Sequence, residues 1–214
     1  ALEARQCTIY LSLVRTALSS PAPLSRTVLQ SGESVAYTTI DSSHTDRASN
    51  DITTYQQKGK TILLSLGGAT YTEDGFLSKA DAINGANLIW RTFGPPQSST
   101  NSSHSKRRTY RPFGNASIDG IDFDFEANAQ NTLPFAQQLR KVMHSDGSGR
   151  PRFLTAAPQC PYPDLADNDI LSGPVSIDAV WVQFYNNFCG LGSFKPGGVA
   201  QSIFNFNQWD NWAK

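Results

Sequence analysis

From about residue 46 to the end of the chain, apolar positions alternate between helical stripes and short strand-like runs. Residues 46–58 place Ala48, Ile52 and Tyr55 on one stripe and stop at Gly59, a residue suited to a helix C-terminus. The apolar run 61–66, closed by Gly67 and Gly68, predicts a strand buried on both faces. A second helix follows, capped by Ser78 with Asp81 three places on. Its stripe is Ala82, Ile83, Ala86, Trp90 and Phe93, and Gly94-Pro95 ends it. Residues 133–145 predict a third helix, with Phe135, Leu139, Val142 and Met143 on one side. Residues 153–158 and 179–185 read as strands, with a short helical piece near 164–171 between them and an amphipathic start over 204–214.

The sharpest pattern lies at 118–126. Successive side chains of a strand point to opposite sides, so Asp122, Asp124 and Glu126 share one face, and Ile121, Phe123 and Phe125 the other. Neighbouring acids on that face stand ~7 Å apart. Like charges at that spacing raise one another's proton affinity, which a purely structural strand has no use for and an acid–base site does.

Repeated alternation of strand and helix predicts an α/β fold with a parallel sheet. Acids at the C-terminal end of a strand whose apolar face meets helices fit a (β/α)8 TIM barrel with its site at the C-terminal rim. A dinucleotide-binding fold would want a glycine-rich fingerprint before a helix, and Gly67-Gly68-Ala69-Thr70-Tyr71 does not supply one. Residues 1–44 are rich in Ser and Thr, have no convincing period, and stay unassigned, which leaves 45–214 as the organised domain.

The remaining features narrow the partner. A formal net charge of +0 gives no electrostatic reason to expect nucleic acid. The basic cluster Lys106-Arg107-Arg108 lies in a Pro/Ser/Thr-rich stretch, 95–111, read as an exposed loop. No apolar run is long enough for a membrane span. Three cysteines are too few to define a disulfide scaffold. Asn101-Ser102-Ser103 and Asn115-Ala116-Ser117 have the form of glycosylation acceptors.

The run from Asp119 to Glu126 resembles the DxxDxDxE signature of glycoside hydrolase family 18, and Ser65-Leu66-Gly67-Gly68 resembles its SxGG signature. Ala156-Ala157-Pro158-Gln159-Cys160-Pro161 and Trp181-Val182-Gln183-Phe184-Tyr185-Asn186-Asn187 are similar to segments of the hevamine-like, class III chitinases of plants and fungi. The resemblance runs from about Asp46 to Lys214 and implies barrel strands three to six. The family's first-strand Tyr-Trp-Gly-Gln motif is not visible in 1–44, and strands seven and eight do not follow, so an incomplete barrel is expected.

The resemblance implies an endo-acting chitinase, secreted and monomeric. It would need no cofactor or metal and would cleave β-1,4 linkages between N-acetylglucosamine units with retention. Glu126 would be the acid, Asp124 would orient the substrate's acetamido group, and Asp122 would shift a shared proton behind it. Tyr185 would donate to the attacking carbonyl, while Gly68, Ala69, Gln183 and Asn186 would line the sugar site. Cys160 and Cys189 match a bridged pair, which leaves Cys7 alone.

Two other readings stand beside this one. Asp-x-Asp spacing also suits oxygen ligation of Mg or Ca, although it accounts for none of the other segments. A lectin-like or inactive fragment is the second. Retained Glu126 argues against a dedicated lectin, whereas open sheet edges argue for weak stability and little activity.

Overall fold

The computed structural model describes residues 6–11, 27–30, 34–37, 42–69, 75–96, 111–198 and 200–214, with side chains from residue 48 onward. The Asn101 acceptor and the Lys106-Arg107-Arg108 cluster lie outside the described residues.

Seven strands form one sheet in the order β3-β2-β1-β4-β5-β6-β7. They are β1 (Gln6–Leu11), β2 (Thr27–Gln30), β3 (Ser34–Tyr37), β4 (Thr61–Gly67), β5 (Gly120–Asp124), β6 (Phe153–Ala156) and β7 (Ala179–Val180). Strands β1, β4, β5, β6 and β7 pair in parallel, and β2 and β3 add an antiparallel extension beyond β1. Helices α1 (Ser42–Gln57), α2 (Lys79–Phe93) and α3 (Thr132–His144) connect the parallel strands, with α4 (Asn168–Leu171) and α5 (Phe206–Trp212) toward the C-terminus. This is the layer order of part of a (β/α)8 barrel: the sheet is an arc whose ends, β3 and β7, are not hydrogen-bonded to each other among the described residues.

Most predicted elements are found, and the departures have local causes. Residues 1–44, unassigned on sequence, contribute β1 to β3, because β1 pairs with β4 through a six-residue parallel register. Backbone pairing needs no hydrophobic period, so the period gave no sign of it. The strand expected over 179–185 is regular only at Ala179–Val180. Beyond it a single bridge, Gln159 to Gln183, continues the pairing, and Asn186 turns the chain away at a φ of 50°. On α2, Ile89 is buried, where the stripe had placed Ile83, which is half-buried. Arg111, expected in a loose loop, belongs to the fold. Its guanidinium donates to the carbonyls of Arg91, Gly94, Gly114 and Ala116 at 2.6–3.1 Å.

The core lies between the outer face of the sheet and the helices. Ile121 and Phe123 from β5, with Phe125 just after it, pack with Ile62, Leu64, Phe93, Phe135 and Leu139 in one cluster. Burying each such side chain contributes about 1.5–3 kcal/mol, so the apolar face of β5 is fixed inward and its acids are forced to the other side. Two glycines allow the strands to approach. A Cβ at Gly120 would stand 2.0 Å from the Phe153 carbonyl oxygen, and one at Gly67 2.2 Å from that of Asp124.

Candidate active site

Strand β5 carries acids at both ends. At its start Asp119 accepts hydrogen bonds from the Ile62 amide (2.9 Å) and Gln56 Nε2 (2.8 Å), and pairs with Arg150 at 2.7 Å. Arg152 lies 3.8 Å from the same carboxylate and 2.7 Å from Asp146. This first acid of the signature therefore ties β5 to β4 and to the loop before β6.

The other end differs. Among the described residues none of Asp122, Asp124 and Glu126 forms an ion pair. Asp122 is buried and accepts from Ser65 Oγ at 2.9 Å and from Thr155 Oγ1 at 2.5 Å. Both donors follow from register, since Ser65, Asp122 and Thr155 are direct neighbours on β4, β5 and β6. Burial raises the Asp122 carboxyl above its ordinary value, while the two hydroxyls pull it partly back by favouring the ionised form.

Asp124, the last residue of β5, is 7% exposed and opens onto a cleft of about 860 Å³. Its carboxyl is pushed up to about 7, first by burial, then by the charges of Asp122 and Glu126; the hydrogen bond from Gln183 Nε2, at 2.8 Å, acts in the opposite direction. Glu126 is half-buried just beyond the strand. Tyr185 is 61% exposed, and its hydroxyl is raised by partial burial and then by Asp124 and Glu126, which places it within the field of both acids.

The substrate-side expectations divide. Gln183, Trp181 and Tyr185 line the cleft with Asp124, and so do Trp209 and Trp212 of α5. Gln183 is committed to Asp124 and to the Ala157 carbonyl (2.9 Å), so it holds the acid in place as well as bordering the cleft. It does not share exposure with Tyr185: irregular backbone leaves Gln183 buried and Tyr185 open. The Gly68 N–H donates to the Asp124 carbonyl at 2.7 Å, so this backbone donor is occupied. Ala69 and Asn186 are exposed, and neither lines this cleft.

Cys160 and Cys189 form a disulfide between the loops after β6 and β7. The same loop is fastened to α5, because Trp209 Nε1 and Asn205 Nδ2 both donate to the Cys160 carbonyl, at 2.9 and 2.7 Å. Cys7 lies on β1, where side chains are not described. Among the described residues no group of three or more His, Cys, Asp or Glu is disposed to hold a metal ion.

Sequence reasoning missed two acids. Asp164 accepts from three backbone amides, of Gln159, Ala166 and Asp167, at 2.8–3.1 Å. Asp167 is fully buried, and neither of its carboxyl oxygens has a hydrogen-bond partner. Burial holds it well above the usual carboxylate range, with Asp164, Asp122 and Asp124 adding to the effect. No signal in the sequence marks Asp167, which stands among other acids in the short helical piece read near 164–171.

Comparison with known proteins agrees with this geometry. The class III chitinase of Arthroderma benhamiae is 54% identical over 171 residues, which are 80% of this chain and 50% of that protein. Endochitinase 33 of Trichoderma harzianum is 44% identical over 164 residues, 77% of this chain and 48% of that one. The chain thus spans about half the length of the curated relatives it matches. Among solved structures, the xylanase and alpha-amylase inhibitor protein XAIP-II of Scadoxus multiflorus superposes with a TM-score of 0.60 at 30% identity, covering 86% of this chain and 61% of that one. The model of glycosyl hydrolases family 18 matches residues 9–213, so it takes in most of the N-terminal segment, which lacks the first-strand Tyr-Trp-Gly-Gln motif. With the paired signatures on adjacent strands β4 and β5 and the acids at the C-terminal end of β5, the chain belongs to glycosyl hydrolase family 18.

Proposed function

We propose that the chain is a catalytic part of an endo-acting chitinase that hydrolyses β-1,4 linkages between N-acetylglucosamine units with retention of configuration. The observation that carries this reading is the array Asp122–Asp124–Glu126, without an ion pair among the described residues and with its middle carboxyl held up to about 7. Below neutrality such an array keeps a proton that isolated carboxyls would have lost. Glu126 gives its proton to the bridging oxygen as that bond to the anomeric carbon breaks. The substrate's own acetamido carbonyl oxygen forms the new bond to the same carbon. Asp124 accepts from the acetamido N–H, and Tyr185 donates to the carbonyl oxygen as its charge changes. Water then opens the cyclic intermediate from the face that the leaving group vacated, returning a proton to Glu126, so two inversions give net retention.

The chitinases of A. benhamiae and T. harzianum support this choice of substrate. The disulfide supports action in an oxidising, extracellular setting, and the protein acts as a monomer on a neutral polysaccharide. Hydrolysis of a chromogenic N-acetylglucosamine oligomer tests the reading, with the anomer of the first product followed by NMR. The β-anomer is expected first, and Glu126→Gln is expected to lower turnover by about 10²–10⁴-fold. Prompt formation of the α-anomer, or an active Glu126→Gln variant, would sink it.

A second reading is binding without turnover. It is favoured by the two-residue edge strand β7 and by the exposed Trp181, Tyr185 and Phe188 beside it. It is carried further by a structural neighbour named as an inhibitor. Calorimetry with an N-acetylglucosamine oligomer separates the two: heat of binding with intact oligomer recovered afterwards favours the second.

A further inference from the structure

The acceptor tripeptide Asn115-Ala116-Ser117 plays no part in the site described above, and its surroundings are distinctive. Asn115 is exposed at the end of a turn that leads through Ile118 into β5. The turn is held from behind. Arg111 donates to Gly114 and Ala116 on either side of Asn115, and to Arg91 and Gly94 at the end of α2. Ala116 is buried, and the Ser117 carbonyl accepts from Gln56 of α1 at 2.8 Å. The flanking residues are therefore tied into the fold by hydrogen bonds while Asn115 is exposed, an arrangement that accommodates a bulky polar substituent.

Two further observations point to a ligand of this kind. The disulfide Cys160–Cys189 belongs to an oxidising compartment, where chains that form such bonds also meet the machinery that glycosylates Asn-x-Ser. The position on the barrel also fits. Asn115 precedes the N-terminal end of β5, and the acids stand at its C-terminal end, so the two lie on opposite rims of a parallel sheet. An oligosaccharide at Asn115 leaves the cleft beside Asp124 open. It also holds its own linked N-acetylglucosamine units away from the acids proposed to cleave that linkage.

We propose that Asn115 is a modification site carrying an N-linked oligosaccharide, projected from the rim opposite the acidic array. The test uses the full chain secreted from a eukaryotic host, treated with peptide-N-glycosidase F in ¹⁸O-water and mapped by mass spectrometry. The peptide spanning Asn115 is expected to return ¹⁸O-labelled Asp at that position, scored separately from Asn101. Asn115→Gln and Ser117→Ala are each expected to abolish the label and the matching gel shift. Because the wild-type map stands without either variant, a failure of those variants to fold leaves the result intact. Recovery of the peptide wholly as unlabelled Asn115, from secreted protein in which Cys160 and Cys189 are linked, would overturn the proposal.

Discussion

The two ends of β5 put chemically similar side chains to opposite uses. Asp119 at the start is saturated: two cations and two uncharged N–H donors surround it, and it joins β5 to β4 and to the Arg150–Arg152 segment. Asp122 and Asp124 at the far end are as deeply buried but, among the described residues, have only neutral donors, so their charged forms are left at a disadvantage. A buried acid with cationic partners is part of the scaffold, whereas buried acids without them hold protons and stay available for transfer.

The contrast can be broken at either end. Asp119→Ala should have the largest effect on stability, about 3–5 kcal/mol, because it leaves the buried Arg152 short of a counter-charge and the Ile62 amide unpaired. Urea unfolding checks this, and a loss below 1 kcal/mol would show that Asp146 alone suffices for Arg152. Asp124→Asn should lower hydrolysis by about 100-fold without loosening the fold. In wild type, hydrolysis should fall as pH rises through about 7, and the variant's residual activity should lack that limb. A pH–rate profile decides.

Gln183→Leu sharpens the comparison by removing a neutral donor. Because this hydrogen bond favours ionised Asp124, its loss should move the alkaline limb upward. A limb that stays in place would reduce Gln183 to a packing residue.

The smallest effect is expected at Asp167, whose folded-state proton affinity is raised. A carboxyl of that kind favours the folded state fully below its unfolded value of 3.8, and that contribution is lost as pH rises toward its folded value. Asp167→Asn should therefore match wild type near pH 4 and be more stable at neutral pH by about 1 kcal/mol, as measured by thermal melts at the two pH values. Equal melting at both would mean that a partner satisfies the carboxyl in solution.

Much of the scaffold was legible in the sequence because periodicity is imposed by burial. The stripes on α2 and α3, the double-sided run of β4 and the alternation of β5 each reflect which face meets the core, and the structure differs there only in detail, as at Ile83 and Ile89. Where pairing needs no such pattern the sequence was silent, as for β1 to β3. Residues 179–185 show the converse: a nearly continuous apolar run reads as a full strand, but only two residues are regular, and Gln183 is buried with bonds to Asp124 and Ala157.

The sequence by itself determined which strand carries the acids, which face they share and which family the chain resembles, because those properties depend on the order of residues along one strand. Tertiary structure alone decided that Asp119 sits beside two arginines while the Asp124 carboxyl is pushed up to about 7, that the Gly68 amide is occupied, and that Asp167 is buried without a hydrogen-bond partner. Proton affinity and hydrogen-bond occupancy are set by groups brought from other strands and loops, and their distances exist only once the sheet has formed.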